Sequence, residues 1–499
     1  MTDRYDVIVV GAGNAAFCAA LAAKEHAGRV LILDKAPADR TGGNSFFTAG
    51  AFRVAYGSLE TIRPLLDDLS DEQAARIDLP PYTERDFTDD MRRLTHGRCD
   101  PELTAILVGN SLATVGWMRD RGVRWELMYA RQSHRVGDRI RFWGGLALGV
   151  VGGGEGLIEA HTAAARARNV EIRYATPAVA LEQDPSGRVA GVVVRHDGGR
   201  ETIAAGAVVL ACGGFEADPR MRASYLGPNW DIARVRGTPF NTGDGLRMAL
   251  DAGAKPYGHW SGCHAVFWDA GAPPSGDWEL TNRLSKLSYP IGILVNAEAR
   301  RFLDEGADFR NYTYAQYGAE VLRQPGAIAY QLFDARTEPL LREDEYRAPG
   351  ATRVEADSIE ELAAKLGLSP ATLAQTVREF NAAVQPGPFD PSIRDGKRTV
   401  GLDPPKSNWS LPLDTPPFVC FPVTCGITFT FGGVRIDAEG RVLDAADRPI
   451  PGLHAAGELV GGLFYHNYPG GTGLTAGAVF GRRAGAAAGR EARARQEGA

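Results

Sequence analysis

The chain has 499 residues, room for two to four domains at roughly 100–200 residues each. Its 55 Lys and Arg against 61 Asp and Glu leave a net charge of −6, which excludes the global positive field that nucleic acid or an anionic membrane selects. A hydrophobic fraction of 44% with 23% charged residues excludes disordered and fibrous classes, and the 60 glycines exceed the ~7% of ordinary usage, a sign of backbone brought close to a ligand.

Strand-like 5–10 is followed at once by Gly11-Ala12-Gly13-Asn14-Ala15-Ala16, an Ala-rich helix to His26, and a second strand over 29–33 that ends in Asp34. This order predicts a dinucleotide-binding unit. Gly11 permits the tight turn, Gly13 lets a pyrophosphate touch backbone, and Ala16 allows close helix–strand packing. The helix start offers N–H groups and a positive dipole end to the phosphates, and Asp34 can accept both hydroxyls of an adenosine ribose. Residues 7–23 are uncharged, but Asp3 and Asp6 precede them where a signal peptide needs basic residues, and glycines interrupt a stretch already short for a membrane span. No other segment approaches a spanning helix. A second small-residue loop, Thr41-Gly42-Gly43-Asn44-Ser45 through Gly50, points to a long ligand crossing the domain, FAD rather than NAD.

Residues 61–90 read as a helical excursion, 152–168 as a Gly-entered helix, 170–174 as a strand, and 179–195 with 201–210 as a β-meander. A strand over 207–211 ends in Cys212-Gly213-Gly214-Phe215, and Thr242-Gly243-Asp244-Gly245 opens another helix. From about Gly258 to Phe429 the sequence is richer in aromatics, Pro and charge and lacks a βαβ pattern. It reads as an inserted domain with a helix pair N-capped by Ser358 and Ser369 and a loop over 385–409. The expected division is therefore 1–257 and 430–499 for the nucleotide-binding domain and 258–429 for a cap. Gly470-Gly471-Thr472-Gly473-Leu474 opens the last helix. The cysteines Cys18, Cys99, Cys212, Cys263, Cys420 and Cys425 form no Cys-x-x-Cys, so no zinc ribbon, Cys-ligated cluster or Cys-x-x-Cys-His haem site is encoded, and a reducing, cytoplasmic setting is expected.

The motif series Gly11-Ala12-Gly13, Gly42-Gly43-Asn44-Ser45, Ala211-Cys212-Gly213-Gly214-Phe215, Thr242-Gly243-Asp244-Gly245, Ile293-Leu294-Val295-Asn296 with Arg301-Phe302, and Ala455-Ala456-Gly457-Glu458 resembles the flavoprotein subunits of fumarate reductase and succinate dehydrogenase nearly end to end. Phe142-Trp143-Gly144-Gly145-Leu146, Trp260-Ser261-Gly262-Cys263-His264 and His466-Asn467-Tyr468-Pro469-Gly470-Gly471 are most similar to the tricarballylate dehydrogenases of that superfamily. The resemblance implies an α/β fold: a Rossmann-like FAD-binding domain with an inserted α+β capping domain, and substrate held between them. It assigns Gly11, Gly13 and Asp34 to the ADP half of FAD, with Asn14, Ala15 and Lys35 beside them. Gly43, Asn44, Ser45 and Gly50 belong near the flavin, Ala178, Ala211 and Gly213 near the adenosine, and Asp244 and Glu458 on the ribityl–phosphate side. Thr472, Gly473 and Leu474 face the pyrimidine edge. No His occurs in 41–53, so non-covalent FAD is expected.

The implied reaction adds or removes two hydrogens across a carbon–carbon bond beside a carboxylate, with hydride to or from flavin N5 and the proton on a side chain opposite. Arg310, Tyr468 and His466 are the candidates for the proton. Arg310 follows Phe302 with one residue more than the fumarate reductase pattern, and it needs a relay such as Asp304, Glu305 or Asp308; a structural Arg–carboxylate bridge is the other reading. Thr428-Phe429-Thr430-Phe431-Gly432-Gly433 and Tyr468 stand where fumarate reductases carry His-His-Thr-Met-Gly-Gly and a clamping Arg, which argues against fumarate itself. Arg131, His134, Arg141, His264, Arg283 and Lys286 are candidate anion partners, with Gly470 and Gly471 at the substrate wall. A small polycarboxylate is the expected substrate. A 3-ketosteroid-dehydrogenase-like or other enone or enoate reaction, addressed by Tyr468, and a flavin electron carrier without turnover remain alternatives. A separate electron acceptor, whether protein, quinone or oxygen, is expected.

Overall fold

Arg4–Val10, with Val7, Ile8 and Val9 fully buried, forms a parallel strand between Gly199–Leu210 and Val30–Leu33. Continuous burial on both faces accounts for its unbroken β-branched run. The computed structural model describes residues 4–67 and 69–498; Asp3 lies outside them. The sheet continues from Val30–Leu33 to Glu171–Arg173, and from Gly199–Leu210 through Val189–His196 to Ala178–Gln183 as an antiparallel meander. Pro449–Ala455 adds alongside Gly199–Leu210, so the chain returns to this sheet after its long excursion.

Helix Asn14–Ala23 lies against the final helix Thr472–Glu497. The approach is close because Gly481, Gly485 and Gly489 face it: a Cβ on Gly485 would stand 2.0 Å from the Ala19 carbonyl oxygen. That contact sets both helix N-termini at the same cleft.

The second sheet is built from Pro256–Asp269, Ile293–Asn296, Ala329–Asp334, Val354–Ala356 and Phe418–Val434, all antiparallel, with Arg234–Val235 parallel at one side. Helices Arg310–Leu322, Ile359–Leu366 and Pro370–Ala383 accompany it, the last two capped by the Ser358 and Ser369 hydroxyls. The architecture is α/β with an α+β insertion. Positions 258 and 429 fall inside the two longest strands of this sheet, Pro256–Asp269 and Phe418–Val434. The excursion over 61–90 contains three short helices, Leu59–Ile62, Asp71–Ala75 and Glu84–Leu94. Among the described residues no helix is long and apolar enough to cross a membrane.

Gly485→Val is expected to cost about 1–3 kcal/mol or more through overpacking, read as a lower urea midpoint at unchanged slope.

Candidate active site

One elongated cavity runs between the two sheets. Its first end is made by the opening turns of the chain. Gly11 sits at φ +110°, and a Cβ there would lie 2.4 Å from the Ala211 carbonyl oxygen. Only glycine carries the turn past that strand end. Gly13, Asn14 and Ala15 follow at the start of Asn14–Ala23, whose N-cap is glycine and whose Asn14 N–H donates to the Ser45 hydroxyl (3.0 Å). Asp34 closes the second strand; burial raises its pKa, against hydrogen bonds from the Thr41 hydroxyl (2.7 Å) and the Ala36 N–H (3.2 Å). Ala178, Lys35 and Ala211 complete this end.

The middle is a buried polar clasp. Asn44 donates from Nδ2 to Glu216 Oε1 (2.6 Å) and to the Thr428 carbonyl, and its Oδ1 accepts the Thr238 N–H (2.8 Å). One side chain thus joins the Gly-rich turn to the second sheet. Asn241 donates to the same Glu216 oxygen (2.6 Å), while Glu216 Oε2 has no protein partner apart from the neighbouring Glu458 carboxyl. Burial and then the charge of Glu458 push Glu216 well above the usual carboxylate range, so the pair shares a proton. Glu458 accepts the Thr430 N–H (2.7 Å) and hydroxyl (3.0 Å). Lys35 bridges to Asp244 and to the Thr242 hydroxyl (2.6 Å).

The far end is a chamber. Helix Arg310–Leu322 presents Arg310 and Tyr314 one turn apart on one face. The segment 467–471 is clipped to that helix: Asn467 Nδ2 donates to the Tyr312 carbonyl (2.6 Å), Gly470 N–H to the Asn311 carbonyl (3.0 Å), and the Tyr468 and Tyr314 hydroxyls lie 2.6 Å apart. Arg53, fully buried, ties the loops together through Gly470 O (2.8 Å) and Gly144 O (3.0 Å). Burial holds Tyr468 well above the usual phenol range, with Tyr314 adding to it, so Tyr468 is a neutral hydroxyl and not a base. Burial, then Arg342, pull Arg310 down to about 9. Its Nη2 donates to the Arg131 carbonyl (2.8 Å), and among the described residues no carboxylate stands at ion-pair distance. The bridge reading of Arg310 therefore has no counterpart here. His264 is buried, with both ring nitrogens unpaired, among Tyr314, Phe429 and Tyr468. Burial and Arg236 depress its pKa well below the imidazole range, so it is neutral.

Of the residues expected at the site, Gly43, Ser45, Gly213, Gly471, Gly473, Leu474, Arg131, His264, Arg310 and Tyr468 join those already placed on the cavity wall. Others stand elsewhere. His466 is exposed, stacks with His96 and meets His259 at a tilt (ring centroids 4.8 and 4.6 Å), off the cavity wall, which corrects its reading as a proton carrier. Arg141 pairs with Asp78 (2.7 Å) and His134 stacks on Trp143 (6.0 Å), both off the cavity wall. Arg283 folds back on the Leu280 carbonyl (3.2 Å), and Lys286 is buried against Asp269 (3.4 Å). Gly50 packs beside Gly153, and Gly470 and Thr472 stand behind the wall, Thr472 bonded to Pro469 O (2.6 Å). The relay carboxylates are also engaged: Glu305 with Arg301, Asp308 with Arg93 (2.8 Å), and Asp304 with the Ser407 hydroxyl. The carboxylate acting on Arg310 is Glu345, fully buried and paired with Arg342 (3.0 Å) and Arg131 (3.4 Å). Arg236, Tyr314 and Arg342 carried no local sequence signal. The i, i+4 spacing of Arg310 and Tyr314 was the one clue available.

These residues fit FAD. Two helix N-termini with glycine at the N-cap, Gly13 and Gly471, open on one cleft and suit a pyrophosphate and an electron-rich ring. Gly11 admits no side chain beside the Ala211 carbonyl, and Asp34 carries a desolvation cost that ribose hydroxyls would relieve. Gly11→Val is expected to lower the yield and leave the soluble fraction without yellow colour, checked by the flavin-to-protein absorbance ratio; the left-handed backbone alone costs about 1–3 kcal/mol.

The family model described as FAD binding domain matches residues 6–474. A probable fumarate reductase of Shewanella frigidimarina is 29% identical, over 97% of this chain and 74% of its own. A vinyl phenol reductase of Lactiplantibacillus plantarum is 27% identical over 93% of this chain and 92% of its own. Among solved structures, the open conformation of a flavocytochrome c3 fumarate reductase superposes with TM-score 0.74 at 28% identity, over 98% of this chain and 79% of that one. A 3-ketosteroid delta1-dehydrogenase from Sterolibacterium denitrificans shares the fold, with TM-score 0.73 at 21% identity over 98% and 100%. The chain is an FAD-dependent oxidoreductase and belongs to the FAD binding domain family.

Proposed function

We propose that this oxidoreductase interconverts a small polycarboxylate of the tricarballylate type and its unsaturated counterpart, an aconitate. The observation that carries this reading is the lining of the chamber. Arg236 and Arg310 line it without an ion-pair partner among the described residues, and Arg131, already paired with Asp344 and Glu345, stands beside them, whereas the acids on the cavity wall, Asp34, Asp244 and Glu458, lie away from this chamber. A carboxylate held out of water needs such donors, and Arg offers them as a planar fork.

FAD, when bound, supplies the two-electron chemistry at N5. The chain supplies the proton site and the orientation. In the oxidative direction a neutral Arg310 takes the proton from the carbon beside a carboxylate; in the reductive direction its guanidinium returns it. Tyr468 and Tyr314, as a neutral hydroxyl pair, position the substrate. We keep 258–429 as the capping unit in this reading, bind FAD non-covalently because 41–53 lacks His, and assign electron transfer to a separate protein, quinone or oxygen. A cytoplasmic setting is supported by six cysteines, none of them in a disulfide.

A second reading rests on the same tyrosine pair and the aromatic wall of Phe429, Phe431 and Phe464: two hydroxyls beside an apolar surface suit the carbonyl of a ketosteroid or other enone. The experiment that decides is anaerobic flavin bleaching. Tricarballylate is expected to bleach the flavin; bleaching by a 3-ketosteroid alone would replace the first reading with the second. Acid precipitation is expected to release all yellow colour to the supernatant. Arg310→Ala is expected to lower kcat roughly 10²–10⁴-fold at unchanged flavin content. With Arg310 near 9, oxidation should quicken as pH rises toward about 9 and reduction should slow above it. Glu345 raises the Arg310 pKa, so Glu345→Gln should move the inflection to lower pH, measured in the kcat profile.

A further inference from the structure

Arg236 follows the strand Arg234–Val235, and its backbone N–H is fixed to the Ile427 carbonyl (2.8 Å). The side chain is buried, 8% exposed, and reaches the chamber. Its Nη1 donates to the Thr428 hydroxyl (2.9 Å), its Nε has no partner, and among the described residues no carboxylate forms an ion pair with it. His264 stands beside it with both ring nitrogens unpaired. Tyr314 feels both Arg236 and Arg310, so both guanidinium groups stand near the tyrosine pair.

Other buried cations of the cap are held within the protein, Lys406 by the Gly292 carbonyl (2.5 Å). Lys286 faces Asp269 (3.4 Å), and Arg301 is paired with Glu305. A buried guanidinium without an anion is costly to fold, and the missing acceptor has the charge and the two-oxygen geometry of a carboxylate.

We propose that Arg236, with one N–H of His264 beside it, grips a second carboxylate of the substrate and thereby selects polycarboxylates over monocarboxylates. This rests on the polycarboxylate reading above and assigns the residue that enforces it.

The test is calorimetric titration of the flavin-loaded wild type, Arg236→Met and Arg236→Lys with tricarballylate and with crotonate. Losing a charge-assisted contact should weaken tricarballylate binding by roughly 10- to 100-fold in Arg236→Met, leave crotonate unchanged, and place Arg236→Lys between. Tricarballylate affinity equal to wild type, or equal losses for both acids, overturns the proposal. If Arg236→Met fails to hold flavin, Arg236→Lys decides: a loss confined to tricarballylate supports the proposal, and unchanged binding overturns it. A yellow, folded wild type that ignores tricarballylate removes the polycarboxylate reading itself, and this assignment with it.

Discussion

Taking a guanidinium out of water costs several kcal/mol unless acceptors replace the solvent, and most buried cations in this chain meet that requirement within the protein. Arg222 donates to four carbonyl oxygens, at Trp230, Glu216, Asp231 and Ala233. Lys286 and Arg301 face carboxylates. Arg236 and half-buried Arg310 have one hydroxyl and one carbonyl acceptor respectively, as Lys406 has the Gly292 carbonyl, but the two arginines face the chamber. The fold tolerates them because rigid elements hold them, a long antiparallel strand behind one and a packed helix start under the other. An anionic ligand that enters the chamber supplies the acceptors that folding withheld, which converts a folding cost into binding energy.

The cofactor end faces the opposite problem. Glu216 and Glu458 are two carboxyls in one dry place, and both cannot ionise there. Glu216 carries the shared proton, held by Asn44 and Asn241. Asn44 also bonds the second sheet at Thr428 and accepts the Thr238 N–H, and Arg236 leans on that same Thr428 through its hydroxyl. The flavin cradle and the substrate chamber thus share a two-residue junction.

The parts of this arrangement that were legible in the sequence are those with local physics. Gly11 and Gly13 before an Ala-rich helix, Asp34 at a strand end, and the Ser358 and Ser369 caps each announce themselves within a few residues, and the structure places them as read. The chamber is different, because its walls converge from positions hundreds of residues apart. Arg236 lies in Arg-Val-Arg-Gly, where nothing local separates it from Arg234, whose guanidinium goes to the Ala270 carbonyl. Arg141 looked as suitable as Arg131 until the hairpin of Ser133–Val136 and Arg139–Phe142 turned it outward to Asp78. His466 is two residues from Tyr468, but a positive φ of 62° at His466 lets the chain reverse there, so one side chain faces solvent and the other the chamber.

The division of labour between the two bodies follows from this geometry. Both guanidinium groups come from the second sheet and its helix, whereas the cradle glycines and Asp34 come from the first. Tyr468, supplied by the returning C-terminal segment, is locked to Tyr314 of the cap. On the polycarboxylate reading proposed above, a substitution at His264, which touches no cradle residue, changes which acid is accepted, whereas one at Arg236 also bears on the cradle through Thr428. A fold shared at 27–29% identity by proteins named for fumarate and for vinyl phenol requires that separation, since a cradle that must bind one cofactor leaves substrate choice to residues outside it.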